Sequence, residues 1–248
     1  MSGHNRWSKI KRYKAVVGAA KGKLYSKLIK EITVAAKAGG GDLNGNHRLR
    51  AAVGLARDAN MPADTITRAI KKGTGELEGN AIEEVLYEGY GPGGVALLIE
   101  CMTDNMNRTA SDVRSILDRW GGNLGTPGSV KFVFTKMGTI QVKPGSTEDQ
   151  VTEQAIEAGA EDVVSHGADG FEVRTHPEDL HHVAIALEKA KLSLGEQKWS
   201  YLPTTTVKVE GEHASKLLKL LEALDDNDDV QNVHANFEMD EKLMESLA

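Results

Sequence analysis

GTIQVKPGSTEDQVTEQAIEAGAEDVVSHGADGFEVRTHPEDLHHVAIALEKAKLSLGEQKWSYL, residues 138–202, carries six elements in a row. Gly138–Val142 predicts a strand. Thr147–Ala158 predicts a helix, opened by a capping box in which Thr147 and Gln150 satisfy each other's backbone donors. Asp162–His166 and Phe171–Thr175 predict a hairpin around Gly167-Ala168-Asp169-Gly170. Pro177–Lys191 predicts a helix with Leu180, Val183, Ala184 and Leu187 inward. Lys198–Leu202 closes the series as a strand. The order strand, helix, strand, strand, helix, strand is that of a ferredoxin-like split βαβ unit.

Working outward, each flank supplies half of a second such unit. Before it come a strand at Val95–Ile99, a helix at Asn107–Trp120 with Val113, Ile116, Leu117 and Trp120 inward, and a strand at Val130–Phe134. After it come a strand at Thr205–Val209, a helix at His213–Leu224 and a strand at Val230–Phe237. The expected fold class is therefore α+β: a basic all-helical N-terminal domain at 1–76, a discontinuous ferredoxin-like (βαββαβ) domain at 82–134 plus 204–240, and a second one inserted at 135–203. One continuous mixed sheet is the competing arrangement.

The head differs from the body in both period and charge. Residues 1–75 hold sixteen Lys or Arg and four Asp or Glu, a net +12. The remainder holds 14 against 32, a net −18, which sums to the chain's −6. A basic head on an acidic body points to a polyanion partner. Helices are predicted at Gly22–Ala38, Asn46–Ala59 and from Pro62 to Gly73. In the first, Leu24, Leu28, Ile32 and Ala35 share a face. Lys23, Lys27, Lys30 and Lys37 fall within about 80° of one another on the opposite side. That spacing predicts Lys23, Lys27 and Lys30 on one exposed face. Ahead of them, Arg6, Lys9, Lys11, Arg12 and Lys14 surround Trp7 and Tyr13, and rings among cations suit base stacking as well as phosphate contact. The candidate nucleic-acid-binding residues are Arg6, Trp7, Lys9, Lys11, Arg12, Lys14, Lys21, Lys23, Lys27, Lys30, Arg48 and Arg50. A merely solvated basic face is the competing reading.

Other signals point to structure rather than chemistry. There is no apolar run of membrane-spanning length and no apolar core of a secretory signal near the N-terminus. The single cysteine, Cys101, excludes an intrachain disulfide and a Cys-based zinc site. It sits in an apolar run and predicts a buried strand residue. Gly89-Tyr90-Gly91-Pro92-Gly93-Gly94 matches GxGxxG, but a strand follows where a dinucleotide loop needs a helix, so a turn between strands is expected. Gly22-Lys23 lacks the rest of a phosphate-binding loop. Asp225, Asn227 and Asp229 begin like a calcium loop, but Val230 and Asn236 stand at its sixth and twelfth positions, so an acidic turn is expected. No histidine pair has metal-ligand spacing and no nucleophile is signalled. No catalytic residue, metal or cofactor is expected. The acidic body could hold the basic head by intramolecular attraction, repel nucleic acid from the wrong face, or meet a basic protein; ordinary solubility is the simplest alternative.

Several motifs together resemble the YebC family of probable transcriptional regulators. They are Gly3-His4 with Trp7, Ile10-Lys11, Lys21-Gly22-Lys23, Lys27-Leu28-Ile29-Lys30-Glu31, Gly39-Gly40-Gly41-Asp42, and Asn46 with Arg48-Leu49-Arg50-Ala51-Ala52-Val53. Asn60-Met61-Pro62, Tyr87 through Gly94, Asp104-Asn105 with Asn107-Arg108-Thr109, Gly121 through Gly125 and Gly159 through Val163 extend the match over the chain. The resemblance implies a cytosolic, non-enzymatic protein of three domains. Some members look like DNA-binding regulators. Others look like translation factors, including the mitochondrial translational activator of cytochrome c oxidase I and bacterial relatives that relieve ribosomes stalled on proline-rich stretches. The expected partner is nucleic acid, duplex DNA or ribosomal RNA, with the ribosome as the alternative target. A cytoplasmic monomer without a membrane anchor is expected.

Overall fold

The computed structural model describes residues 20–240 and 243; the side chains of Ala20 and Lys21 are outside that description. The chain forms two compact units. One holds the described residues up to Phe132 and from Thr205 onward, and the other is Val133–Thr204.

Among its described residues, the first unit opens with three helices: α1 (Ala20–Gly39), α2 (His47–Asp58) and α3 (Ala63–Gly73). Leu28, Ile32, Ala35 and Ala36 of α1 meet Leu49, Ala52, Val53 and Ala56 of α2 and Met61, Ile66 and Ala69 around α3 in one apolar core. The small residues allow close approach: a Cβ on Gly73 would lie 2.3 Å from the Thr33 carbonyl oxygen. The buried Asn46 joins two helix ends. Its Oδ1 accepts from Leu49 N as the N-cap of α2, and its Nδ2 donates to Ala35 O and Gly40 O at the end of α1, each at 2.8 Å. Those are backbone groups that helix ends leave unsatisfied.

The α+β part of this unit is a four-stranded antiparallel sheet in the order β3-β1-β2-β9, built from β1 (Glu83–Gly91), β2 (Val95–Thr103), β3 (Asn123–Leu124) and β9 (Val230–Ala235). The helices α4 (Met106–Arg119) and α7 (Gly211–Asp225) cover it, with Val113, Leu117, Leu217, Leu220, Leu221 and Leu224 packed on Val95, Leu97, Ile99 and Cys101. Its strands differ from the expected set. The second strand position beside β2 belongs to β1, not to Thr205–Val209; that segment supplies only β8 (Val207–Lys208), paired in parallel with β10 (Phe237–Glu238). Val130–Phe134 is not a strand of this sheet: Lys131–Val133 forms a 3-10 turn and Phe134 starts the next unit's first strand. β1 was hidden because Glu88 and two glycines break its apolar alternation. The turn expected from the glycine motif is narrower than the motif: Pro92–Gly94 turns the chain, with Gly93 and Gly94 both at φ +77, while Gly89–Gly91 lies in β1.

Glu88 explains itself in the fold. The buried carboxylate accepts from the backbone N–H of Gly128, Val130 and Lys131 at 2.6–2.8 Å. Burial pushes its pKa up, and these three donors outweigh that, so the group is held below the usual carboxylate range.

The second unit contains β4 (Phe134–Val142), α5 (Glu148–Glu157), β5 (Asp162–Ser165), β6 (Phe171–Thr175), α6 (Leu180–Lys189) and β7 (Leu194–Pro203). Its sheet is antiparallel in the order β5-β6-β4-β7, the ferredoxin-like arrangement expected of residues 138–202. The Thr147–Gln150 capping box is present. No described helix is long and apolar enough to cross a membrane.

Candidate nucleic-acid interface

Helix α1 has the rotation its leucines and isoleucine predict at Leu28 and Ile32, which are buried, but Leu24 is 46% exposed. The opposite flank is not a free surface. Lys23 Nζ pairs with Asp226 Oδ1 at 2.8 Å, Lys27 Nζ with Asp225 Oδ1 at 2.7 Å, and Lys30 Nζ with Asp229 Oδ1. Lys27 also donates to Asp225 O at 2.9 Å and Lys30 to Asp228 O at 2.8 Å. Asp225 is the last residue of α7, so Lys27 meets a helix C-terminus, where unsatisfied carbonyls and the dipole favour a cation. The expectation of one exposed lysine face is therefore corrected. Lys23 remains half exposed, but the side chains of Lys27 and Lys30 are 16% and 18% exposed because the acidic turn of the same unit covers them.

The row has a gradient of burial. Lys23–Asp226 is solvated at both ends, Lys27–Asp225 is partly covered, and Lys30–Asp229 ends on a carboxylate only 7% exposed. Asp229 is a hub. Its Oδ2 accepts from Thr109 Oγ1 at 2.7 Å, Arg108 Nη2 at 2.9 Å and Thr103 Oγ1 at 3.3 Å, and its backbone carbonyl accepts from Met102 N. Burial alone would raise its pKa, but the hydrogen bonds from Lys30, Thr109 and Arg108 win and hold it at about 2. Near it, burial and then the Asp229 charge push the Cys101 thiol up to about 12, which makes it an inert strand residue.

Arg48 is also engaged within the chain. Its Nε and Nη2 reach Glu31 at 2.7 and 3.1 Å, and Nη2 and Nη1 reach Glu84 at 2.7 and 3.3 Å. Burial opposes the charge, but the two carboxylates outweigh it and raise the guanidinium pKa. Arg50 is exposed, and its guanidinium donates to Leu43 O and Asn44 O, bracing the loop between α1 and α2. Arg6, Trp7, Lys9, Lys11, Arg12 and Lys14 lie outside the described residues, as does the side chain of Lys21.

Of the exposed head cations without an ion pair among the described residues, Arg50 and Lys37 donate to backbone carbonyls, Lys37 Nζ to Ile82 O at 3.5 Å. Arg57 on α2 and Arg68 and Lys71 on α3 are exposed and make no ion pair among the described residues. Arg68 and Lys71 are three residues apart, so they share a flank of α3. The seven-residue spacing places Arg57 on one flank of its helix with Arg50, whereas Arg68 and Lys71 contribute to the head's charge without a stripe that marks them. Two of the head's four acids, Asp58 and Asp64, lie beside Arg57 and four residues before Arg68, so no local signal marks these cations as unpaired. The aromatic ring described in the head, Tyr25, is bound to the α2–α3 turn through Asn60 O at 2.7 Å and Ala59 O at 3.1 Å. The described head thus offers cations for phosphate, not rings for bases.

The described residues comprise three helices of a basic head followed by α+β units, with no metal-binding cluster among them. Residues 5–76 match the family model described as the TACO1/YebC protein N-terminal domain, and residues 82–237 match that of the TACO1/YebC second and third domain. The chain belongs to the TACO1/YebC family. A probable transcriptional regulatory protein of Myxococcus xanthus is 62% identical over 247 residues, covering 100% of this chain and 99% of the relative. Another so named, from Desulfotalea psychrophila, is 55% identical over 250 residues and all of both chains. The crystal structure of a conserved hypothetical protein from Aquifex aeolicus is 48% identical, with a TM-score of 0.83 over 90% of this chain and 92% of that one.

Proposed function

We propose that this protein is a non-enzymatic regulator of gene expression whose helical head binds nucleic acid, mainly through phosphate. The observation that carries this is the segregation of charge, +12 in the first 75 residues against −18 in the rest, with Arg57, Arg68 and Lys71 exposed and without an ion pair among the described residues. The names of the relatives support a role as transcriptional regulator, and on that reading duplex DNA is the first target to test. Arg6 to Lys14 and Lys21 extend the proposed surface. Arg48 serves it indirectly, by holding Glu31 and Glu84. Cytoplasmic location and a monomeric state belong to the same proposal.

The proposal predicts weak sequence preference and steep salt dependence, because each phosphate neutralised on duplex DNA contributes about 0.9 to the slope of log affinity against log salt. Titrating the full chain with a duplex of mixed sequence and with a structured RNA, over a salt series, tests it. Absence of binding to both at low salt removes it. Retention of RNA binding at salt that strips the duplex, together with sedimentation with ribosomes, moves the target to ribosomal RNA and the role to a translation factor, including relief of stalling on proline-rich stretches.

A further inference from the structure

Resting on the reading that the head binds nucleic acid, we infer that Lys23 and Lys27 form a phosphate-binding row that the chain's own acidic turn occupies in the free protein, so that nucleic acid binds there in competition with Asp225 and Asp226. The oxygen atoms presented to the row are Asp226 Oδ1 at 2.8 Å from Lys23, and Asp225 Oδ1 and O at 2.7 and 2.9 Å from Lys27. Oxygen acceptors at these distances are what two phosphates would offer two ammonium groups. Lys23 and Lys27 are one helical turn apart, about 6 Å along the axis, a distance comparable to the separation of successive phosphates on one strand.

Exchange requires only that two side chains swing away from the turn. Lys30 stays, because its partner Asp229 is buried and tied to Thr103, Thr109 and Arg108. Val34, Ile82 and Met102 form a small apolar cluster that holds the C-terminal half of α1 against the residue before β1 and the end of β2. The helix thus remains docked while its outer cations change partner. The outer pair is the easiest to give up: both its side chains are about half exposed or more, and such pairs hold weakly and are screened by salt.

The arrangement has a regulatory consequence. A weak or isolated phosphate does not displace two carboxylates and a helix-end carbonyl, whereas a continuous polyanion does. The turn therefore raises the threshold for binding and favours dense phosphate arrays over single charges.

Asp225→Asn with Asp226→Asn removes the internal competitor. Asparagine suits a helix C-terminus, where an anion opposes the dipole, so the fold persists, as a melting curve checks. Glu153→Gln with Glu157→Gln, on exposed positions of α5, removes the same charge elsewhere and reports the general electrostatic effect. Affinity is measured for a short fluorescent DNA duplex of mixed sequence and for an RNA hairpin. The turn variant should bind both roughly three- to tenfold more tightly than the charge control. Adding Lys23→Gln and Lys27→Gln should abolish that gain, while the same pair in the otherwise unaltered chain should weaken binding much less, the non-additivity that marks groups sharing one site. Equal affinities for turn variant and charge control, or additive effects of the lysine and aspartate changes, would overturn the inference and leave the head's other cations as the binding surface. Absence of binding by the unaltered chain and by the turn variant alike would overturn both the inference and the proposed function.

Discussion

Lys23, Lys27 and Lys30 on α1 and Arg57, Arg68 and Lys71 on α2 and α3 carry the same charge in opposite situations. Lys23, Lys27 and Lys30 each meet an aspartate from a turn some two hundred residues later. Arg57, Arg68 and Lys71 meet no acid among the described residues. Helical periodicity places both sets away from the apolar core and cannot tell them apart. A stripe of cations reports which side of a helix is not apolar; whether that side is solvent or salt bridge depends on what the rest of the chain packs against it.

The comparison depends first on the rotation of α1. Ile32 is fully buried and Leu24 is 46% exposed, so Ile32→Ala should cost about 3 kcal/mol and Leu24→Ala no more than about 0.5 kcal/mol. Urea unfolding followed at the helical head separates them, and equal losses would mean that the helix faces are misassigned.

The inner end of the lysine row comes next. Asp229→Asn leaves Lys30 partly buried without its counterion and should cost about 2 kcal/mol, below the range for fully buried pairs because Lys30 keeps Asp228 O and some water. The effect should depend on pH with a definite sign. Asp229 is held at about 2, below its ordinary 3.8. Its contribution is full above about pH 4 and is lost as pH falls towards 2. The stability gap between the unaltered chain and Asp229→Asn should therefore narrow over that window. A gap that stays constant down to pH 2 would show that the charge of Asp229 is not what Lys30 needs.

The outward cations should behave the other way, mattering for binding and not for folding. Changing Arg57, Arg68 and Lys71 to Gln together should shift stability by less than about 0.5 kcal/mol per site. It should weaken duplex binding about tenfold, or 1.4 kcal/mol, and reduce the salt slope by up to about 2.7 if all three touch phosphate. An unchanged slope would place the contacts in Arg6 to Lys14 instead.

The smallest effect belongs to the outer pair. Lys23→Gln should change stability by under about 0.5 kcal/mol, since Lys23–Asp226 is solvated at both ends. A loss as large as that of Asp229→Asn would remove the gradient along the row.

Much of this architecture was legible from residue order. Period and turn residues marked α1, α2 and α3, and the strand and helix order of residues 138–202 matched the observed sheet β5-β6-β4-β7. These are local signals: the side chains that reveal them lie within a few residues of each other. β1 was less legible, because Glu88 occupies a buried strand position that only a later loop, Gly128 to Lys131, makes tolerable. Val130–Phe134 and Thr205–Val209 stay out of the sheet that holds β1, where Val230–Ala235 takes its expected place as a strand, for a related reason. A sheet order of β3-β1-β2-β9 depends on which strand reaches β2 first, and the adjacent hairpin β1–β2 closes with three residues where Thr205–Val209 must return from beyond the inserted unit.

By itself, the sequence determined that a basic helical head precedes acidic α+β units, since charge and hydrophobic period are properties of neighbouring residues. Tertiary structure alone decided which cations are available. It brought Asp225, Asp226 and Asp229 to Lys23, Lys27 and Lys30, and Glu84 to Arg48, across separations that no local pattern encodes. The physical reason is that charge acts through space and is screened within about 10 Å, so the partner of a charged group is set by folding and not by its position along the chain.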